Sequence, residues 1–254
     1  MVYAFLKVKA QMKITFIILN FHRVFSFGFQ VHALIGDSVY KLLPIEVQTN
    51  LSILLEGISF GEASVWADKI KRNREYLWTK QIHYYNGAPK SNDDPPNKCI
   101  FNESFPLSKP NENPINLLDA LEKYKPPIQS AFQLKMFLHL MQDLHQPLHL
   151  TGKFRGGNDV SIRVKKRTYS LHSFWDSGLY KLSPSYTFQP LSCEPFDLKK
   201  WANELYSENC KLIWHYDDPD YLEKSKELLK EVIEFSVMRT ACALGASQRI
   251  PDYL

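Results

Sequence analysis

The run FLHLMQDLHQPLHL, residues 137–150, constrains this chain more than any other stretch. Its apolar residues demand burial, yet it carries His139, Asp143, His145 and His149 along with Pro147. Unpaired ionisable groups are costly inside a protein, so whatever fold buries this segment must also bring partners to these groups. His139 and Asp143 are four residues apart and share one face of a helix. Pro147 marks the helix end, beyond which a loop can turn His149 back toward the same pocket. His145 lies only two residues from Asp143, faces away from it, and reads as structural.

The same residue types recur elsewhere. His172 and Asp176 in LHSFWD repeat the four-residue spacing, His32 stands in an apolar helix, Asp68 sits in ASVWADKIK where an apolar face is expected, and His83 follows in QIHYYN. Neutral imidazole and carboxylate are the ligands zinc takes. Together these are more donors than one tetrahedral site can use, so the expectation is a multinuclear site. His215, in IWHYDDPD, reads as a surface-turn residue.

The surrounding pattern is helical. Apolar residues at three- and four-residue steps predict helices over 32–43, 44–57, 61–73, 115–124, 128–145, 197–214 and 218–244. VSIRV and TYSL around a Lys-Lys-Arg turn predict one short hairpin, and the Pro/Asn/Asp-rich stretch 86–114 a long loop. The expected class is all-α, a single-domain helical bundle with a short β-hairpin. With 10 glycines in 254 residues and neither GxGxxG nor a P-loop, nucleotide-binding α/β folds find no support.

Residues 1–26 read as a signal peptide with an N-terminal extension: Met12-Lys13, the apolar ITFIILNF, then Val24 and Ser26 before a cleavage point at Phe27. A buried first helix is the alternative. Residues 27–254 form the expected catalytic domain, and the protein is expected to be secreted or periplasmic. The leader carries Lys7, Lys9, Lys13 and Arg23 and no acid, so of 31 basic and 27 acidic residues the remainder keeps 27 of each. The formal charge of +4 is therefore no nucleic-acid footprint, and any polyanion must be held locally. Cys99, Cys193, Cys210 and Cys242 lack CxxC spacing and suggest two disulfides, with three pairings open.

The ordered series FGFQVH, ASVWADKIK, IHYYN, FLHLMQDLHQPLH, GGNDV and LHSFWD resembles the S1/P1 nuclease family, from about Phe27 to Asp176. The resemblance implies a phospholipase C/P1 nuclease-like fold and three zinc ions. Asp68, His83, His139 and Asp143 would hold one and His149, His172 and Asp176 another. His32, a bridging Asp143, and the amine and carbonyl of a mature Phe27 would hold the third. Phe27 stands where the family usually has tryptophan. The implied activity is hydrolysis of single-stranded DNA and RNA to 5′-phosphate products, with 3′-nucleotides as further substrates.

Asp68, Asp143 and Lys71 are the implied catalytic residues. Lys71 matches a basic position near the phosphate, and is otherwise a solvated helix residue. Tyr84 falls where the family stacks a base, and is otherwise a core aromatic. Asn86 replaces a base-binding aspartate, while Gly157 and Asn158 shape a loop in which Asn158 can also act as a turn residue. Cys99–Cys242 and, with it, Cys193–Cys210 are the implied disulfides. The protein is expected to be a monomer with no membrane contact after leader removal. The competing expectations are a zinc phospholipase C-type phosphodiesterase and a non-catalytic zinc-binding relative.

Overall fold

The computed structural model describes residues 27–85, 101, 105–183, 186 and 193–246. The leader, Asn86 and Cys99 lie outside these residues. The described chain is all-α with one two-stranded antiparallel sheet. Its central element is α6 (Ala131–His145), in which every residue from Met136 to His145 is buried. Ser130 caps it by accepting from the Gln133 amide. A helix buried on all sides needs neighbours on all sides. Here they are α1 (Phe29–Leu42), α3 (Phe60–Ser64), α4 (Trp66–Ile70), α5 (Leu117–Tyr124) and α10 (Tyr221–Ala241).

Two local devices set the approach of these helices. Gly36 lets α1 lie directly on α3: a Cβ there would sit 2.5 Å from the Phe60 carbonyl oxygen and clash with Ser64 Oγ. Ser59 and Glu62 form a reciprocal capping box that starts α3. α2 (Ile45–Leu54) covers a shorter span than the 44–57 expected and buries none of its side chains.

Residues 61–73 do not form the single helix their periodicity predicts. α3 ends at Ser64, Val65 turns the chain, α4 follows, and Arg74–His83 continues as a 3₁₀ segment. The physical reason lies in the Ser64 carbonyl. In a continuous helix it would accept from the amide four residues on. At a helix end it is left over, and it accepts instead from His139 Nδ1 on α6 at 2.6 Å.

After α6 the chain makes a short turn, α7 (Phe154–Gly157), and a hairpin of β1 (Ser161–Val164) and β2 (Arg167–Ser170). Ile162 pairs with Tyr169 across it. It leads into α8 (Leu171–Ser173) and a wide turn over Phe174–Gly178, closed by the Leu179 amide on the Phe174 carbonyl at 2.8 Å. α9 (Leu198–Ile213) and α10 complete the shell around the buried core. Among the described residues no helix is long and apolar enough to cross a membrane.

The disulfide pairing departs from expectation. Cys193 is bonded to Cys242, with Cα atoms 5.5 Å apart. Neither Cys193–Cys210 nor Cys99–Cys242 therefore forms. The loop before α9 and the end of α10 are brought together by packing that spacing does not encode. Cys210 is also disulfide-bonded, and none of the cysteines among the described residues is free.

Candidate metal centre

The end of α6 and the segments around it gather every candidate donor side chain. His139 Nε2, His83 Nδ1 and Asp143 Oδ2 form a near-equilateral triangle with sides of 2.9, 2.9 and 3.0 Å. Asp68 Oδ1 lies 3.8 Å from His139 Nε2 and 3.9 Å from His83 Nδ1. Metal–nitrogen bonds of about 2.0–2.1 Å put tetrahedral ligand atoms about 3.3 Å apart, so these four donors have the spread of one site. Asp143 turns its other oxygen elsewhere: Oδ1 is 3.6 Å from His32 Nε2 and 3.4 Å from His149 Nδ1. One carboxylate thus faces two groups of imidazoles. His149, His172 and Asp176 make a further group, with His172 Nε2 3.4 Å from Asp176 Oδ2. His32 also groups with Asp68 and His139, and its ring stacks on His139 at 4.1 Å.

Tautomers show what these contacts need. His139 Nδ1 donates to the Ser64 carbonyl, His172 Nδ1 to the Gly156 carbonyl at 2.7 Å, and His32 Nδ1 to Gln142 Oε1 at 2.5 Å. Each neutral ring then carries its lone pair on Nε2, and each Nε2 points at a carboxylate oxygen. Lone pair faces lone pair unless a cation lies between. A carbonyl or amide oxygen behind the ring and a shared cation in front is the arrangement of metal-bound histidine. Asp68 Oδ2 and His149 Nδ1 are buried among these donors without a hydrogen bond, which fits ligand atoms; His83 Nε2 is also buried without one, but the nitrogen of that ring facing the triangle is Nδ1.

The electrostatics agree. Burial, reinforced by neighbouring imidazoles, pushes His32 and His149 down to about 3, and burial alone dominates for His172, at about 4. Burial raises the Asp143 carboxyl, but His139 and His149 outweigh it and hold it well below the usual range. His139 shows the reverse balance: burial lowers it, yet Asp143 and Asp68 raise it overall. Asp176 is raised well above its usual value by burial.

The residues around the donors are placed as follows. Lys71 is partly buried, and its Nζ lies 2.5 Å from Asp68 Oδ1. Tyr84 is 37% exposed while its neighbour Tyr85 is 4% exposed, so Tyr85 is the core aromatic of the pair. Phe27 is fully buried, edge-on to His32, and the next amide, Gly28 N–H, donates to the Asp176 carbonyl at 2.7 Å. Gly157 has φ 76° and a Cβ there would press on Leu148. Asn158 Nδ2 donates to the Arg155 carbonyl at 2.9 Å, the turn role. Phe154, Arg155 and Gly156 are left-handed as well, at a cost of about 1–2 kcal/mol for each non-glycine, and this turn frees the Gly156 carbonyl for His172.

Sequence reasoning passed over the residues that orient the donors. Gln142 holds His32 and also donates to Ser64 Oγ at 2.9 Å, and Gln146 Nε2 donates to Asp176 Oδ1 at 2.6 Å. Their signal was present: each is a glutamine in an apolar run three residues after a candidate ligand, His139 or Asp143. His145 is buried but turned away, and His215 is exposed.

Comparison with known proteins agrees with this geometry. Endonuclease 2 of Arabidopsis thaliana is 30% identical over 152 residues, covering 57% of this chain and 48% of the relative. Endonuclease 4 of the same plant is 26% identical over 200 residues, covering 69% and 60%. Nuclease S1 of Aspergillus oryzae is 28% identical over 145 residues, covering 52% and 48%. The chain thus spans about half to three fifths of the length of these relatives. Residues 30–249 match the family described as S1/P1 Nuclease, and the chain belongs to that family.

Proposed function

We propose that this protein is a zinc-dependent phosphodiesterase of single-stranded DNA and RNA that also removes phosphate from 3′-nucleotides. The observation that carries it is the three-fold repeat of one arrangement, in which an oxygen behind His32, His139 and His172 sends each Nε2 toward a carboxylate. The donors are nitrogen and oxygen only, which suits zinc. The donor groups overlap at His139, so three ions would need Asp143 to be shared between the His83/His139 side and His32, with the amine of a mature Phe27 joining His32 after export. Bound zinc supplies positive charge against the phosphate and acidifies water near neutral pH.

The chain's own residues supply the rest. Asp68 and Asp143, held ionised, fix the position of that charge. Lys71 on Asp68 adds a cation beside it. Hydrolysis breaks the bond between phosphorus and the 3′ oxygen, which takes a proton, and leaves phosphate on the 5′ product. Tyr84, exposed beside His83, offers a face on which an unpaired base can stack.

Zinc-loaded protein is to be assayed on single-stranded DNA, RNA, duplex DNA, 3′-AMP and phosphatidylcholine vesicles. Single strands and 3′-AMP are expected to turn over, and 5′-phosphate ends to be recovered. Turnover of the lipid alone would establish a phospholipase C-type enzyme instead. Tyr84→Ala is expected to raise KM for single strands about tenfold, the loss of one stacked base.

A further inference from the structure

The hairpin that separates Gly156 from His172 has a role the metal centre does not absorb. Arg163, Lys165, Lys166 and Arg167 fill four of five consecutive positions at its tip, and all four are exposed. Several surface cations elsewhere have carboxylate partners, such as Lys125 with Glu122, Lys200 with Glu194, Lys211 with Glu208 and Lys224 with Asp218. Among the described residues, none of the four hairpin cations has a carboxylate within 4 Å. In a chain whose charge from residue 27 onward balances, this is a concentrated patch of one sign.

The patch is also fixed relative to the donors. Ile162 and Tyr169 face inward as a cross-strand pair. The Tyr169 ring packs edge-on to Phe174 at 6.0 Å and lies so close to Gly178 that a Cβ there would be 2.9 Å away. The Leu171 amide closes the base of the ribbon on the Val160 carbonyl at 2.8 Å. His172 follows at once. His172 lies five positions after Arg167, a reach of at most about 17 Å along an extended strand.

We propose that this hairpin is a phosphate-binding arm that holds the backbone of a nucleic-acid strand beyond the nucleotides at the metal centre. The inference rests on the nuclease reading for the identity of the polyanion. Unpaired cations on a ribbon tip gain little within the protein, and each phosphate they neutralise releases a counterion. Guanidinium and ammonium groups at the tip contact phosphate without reading bases, so the arm favours long substrates over short ones irrespective of sequence. The competing physical role is edge protection, since charged residues on a short ribbon block pairing with another strand.

The test replaces the cluster with glutamines (R163Q, K165Q, K166Q, R167Q) in the zinc-loaded protein. Exposed positions leave the fold intact, which the melting temperature checks. A labelled single strand of about twenty nucleotides with a slowly cleaved phosphorothioate backbone reports binding by anisotropy between about 50 and 200 mM salt. The slope of log Kd against log salt is expected to fall by about 2–3, each lost phosphate contact contributing about 0.7. At low salt, kcat/KM on the natural long strand falls at least about tenfold, while a dinucleotide is cleaved within about twofold of wild type. An unchanged slope and unchanged long-strand kinetics overturn the arm and leave edge protection. If wild type binds the strand with a hairpin-dependent slope yet cleaves neither length, the nuclease reading fails and the arm stands.

Discussion

The two sides of α6 carry buried histidines six residues apart, and they have opposite fates. On one side His139 faces Asp143, Asp68 and His83, with its Nδ1 held by the Ser64 carbonyl. On the other, His145 Nδ1 donates to its own helix at the Met141 carbonyl, 2.7 Å away. Its Nε2 faces the Arg239 guanidinium at 3.5 Å, and Arg239 in turn grips Glu204 at 2.6 Å between the rings of Trp201 and Phe235. Burial, with Arg239 adding to it, pushes His145 down to about 3. The lesson concerns what a lone pair sees. Facing carboxylates, it invites a cation. Facing a fixed cation, it accepts one N–H and has no room for a metal.

The largest effect should come from removing the charge on the first side. Asp143→Asn keeps the shape of the carboxylate whose two oxygens face His139 and His83 on one side and His32 and His149 on the other, and should lower hydrolysis by about a thousandfold or more, roughly 4 kcal/mol in the barrier. Metal analysis of the same variant should lose at least one ion per chain. Full activity with full metal content would break the contrast between the two sides.

Chelation sharpens it next. Stripping the ions leaves facing lone pairs and should lower the melting temperature by more than about 10 °C, since each tightly held ion adds about 4 kcal/mol at a thousandfold excess over its Kd. The metal-free protein should then be acid-sensitive. His32, His145 and His149 titrate at about 3 and His172 at about 4 in the fold, against about 6.5 unfolded. Below 6.5 the unfolded state binds protons that the folded state refuses. Stability is therefore full above about 6.5 and falls as the pH drops toward 4, by up to about 1.4 kcal/mol per unit for each ring. Asp176, raised by burial, opposes this over the same window, and His139 loses its contribution above 6.5 rather than below. Urea midpoints measured at about pH 7 and pH 5 decide the sign.

The glutamines give an intermediate effect. Gln146→Leu removes the donor to Asp176 without touching a ligand, and should weaken metal binding at that group by about 10–100-fold. A competition titration with a chromophoric chelator measures it. No change would mean that Asp176 is placed by its own backbone alone.

Much of this was legible because the donors lie on two strict spacings. His139/Asp143 and His172/Asp176 each fix one helix face, and Pro147 announces the return of His149. The hairpin was legible in VSIRV and TYSL around the Lys-Lys-Arg turn, although not which residues it turns inward. What stayed hidden depends on where chain ends meet. The break at Val65 is not in the apolar pattern of 61–73, because it serves the Ser64 carbonyl and a histidine 75 residues away. The disulfide between Cys193 and Cys242 reflects the docking of α10 beside the loop before α9, which no local spacing records. Gln142 and Gln146 read as neutral helix formers until their partners arrive from α1 and the turn at Asp176.

The smallest effect should come from the second side of α6. His145→Gln keeps a polar side chain but loses the ring that bridges the Met141 carbonyl and Arg239. A buried hydrogen-bonding group left without its partner costs about 1–3 kcal/mol, or about 2–12 °C in melting temperature for a chain of this size. Metal content and kcat/KM should stay within about twofold of wild type, because no donor atom faces His145 from the centre. Loss of an ion in this variant would mean that the guanidinium network positions α6 as a whole, and the two sides would then be one mechanical unit. An unchanged melting temperature with intact metal would instead mean that Arg239 is held by Glu204 and Trp201 without the imidazole.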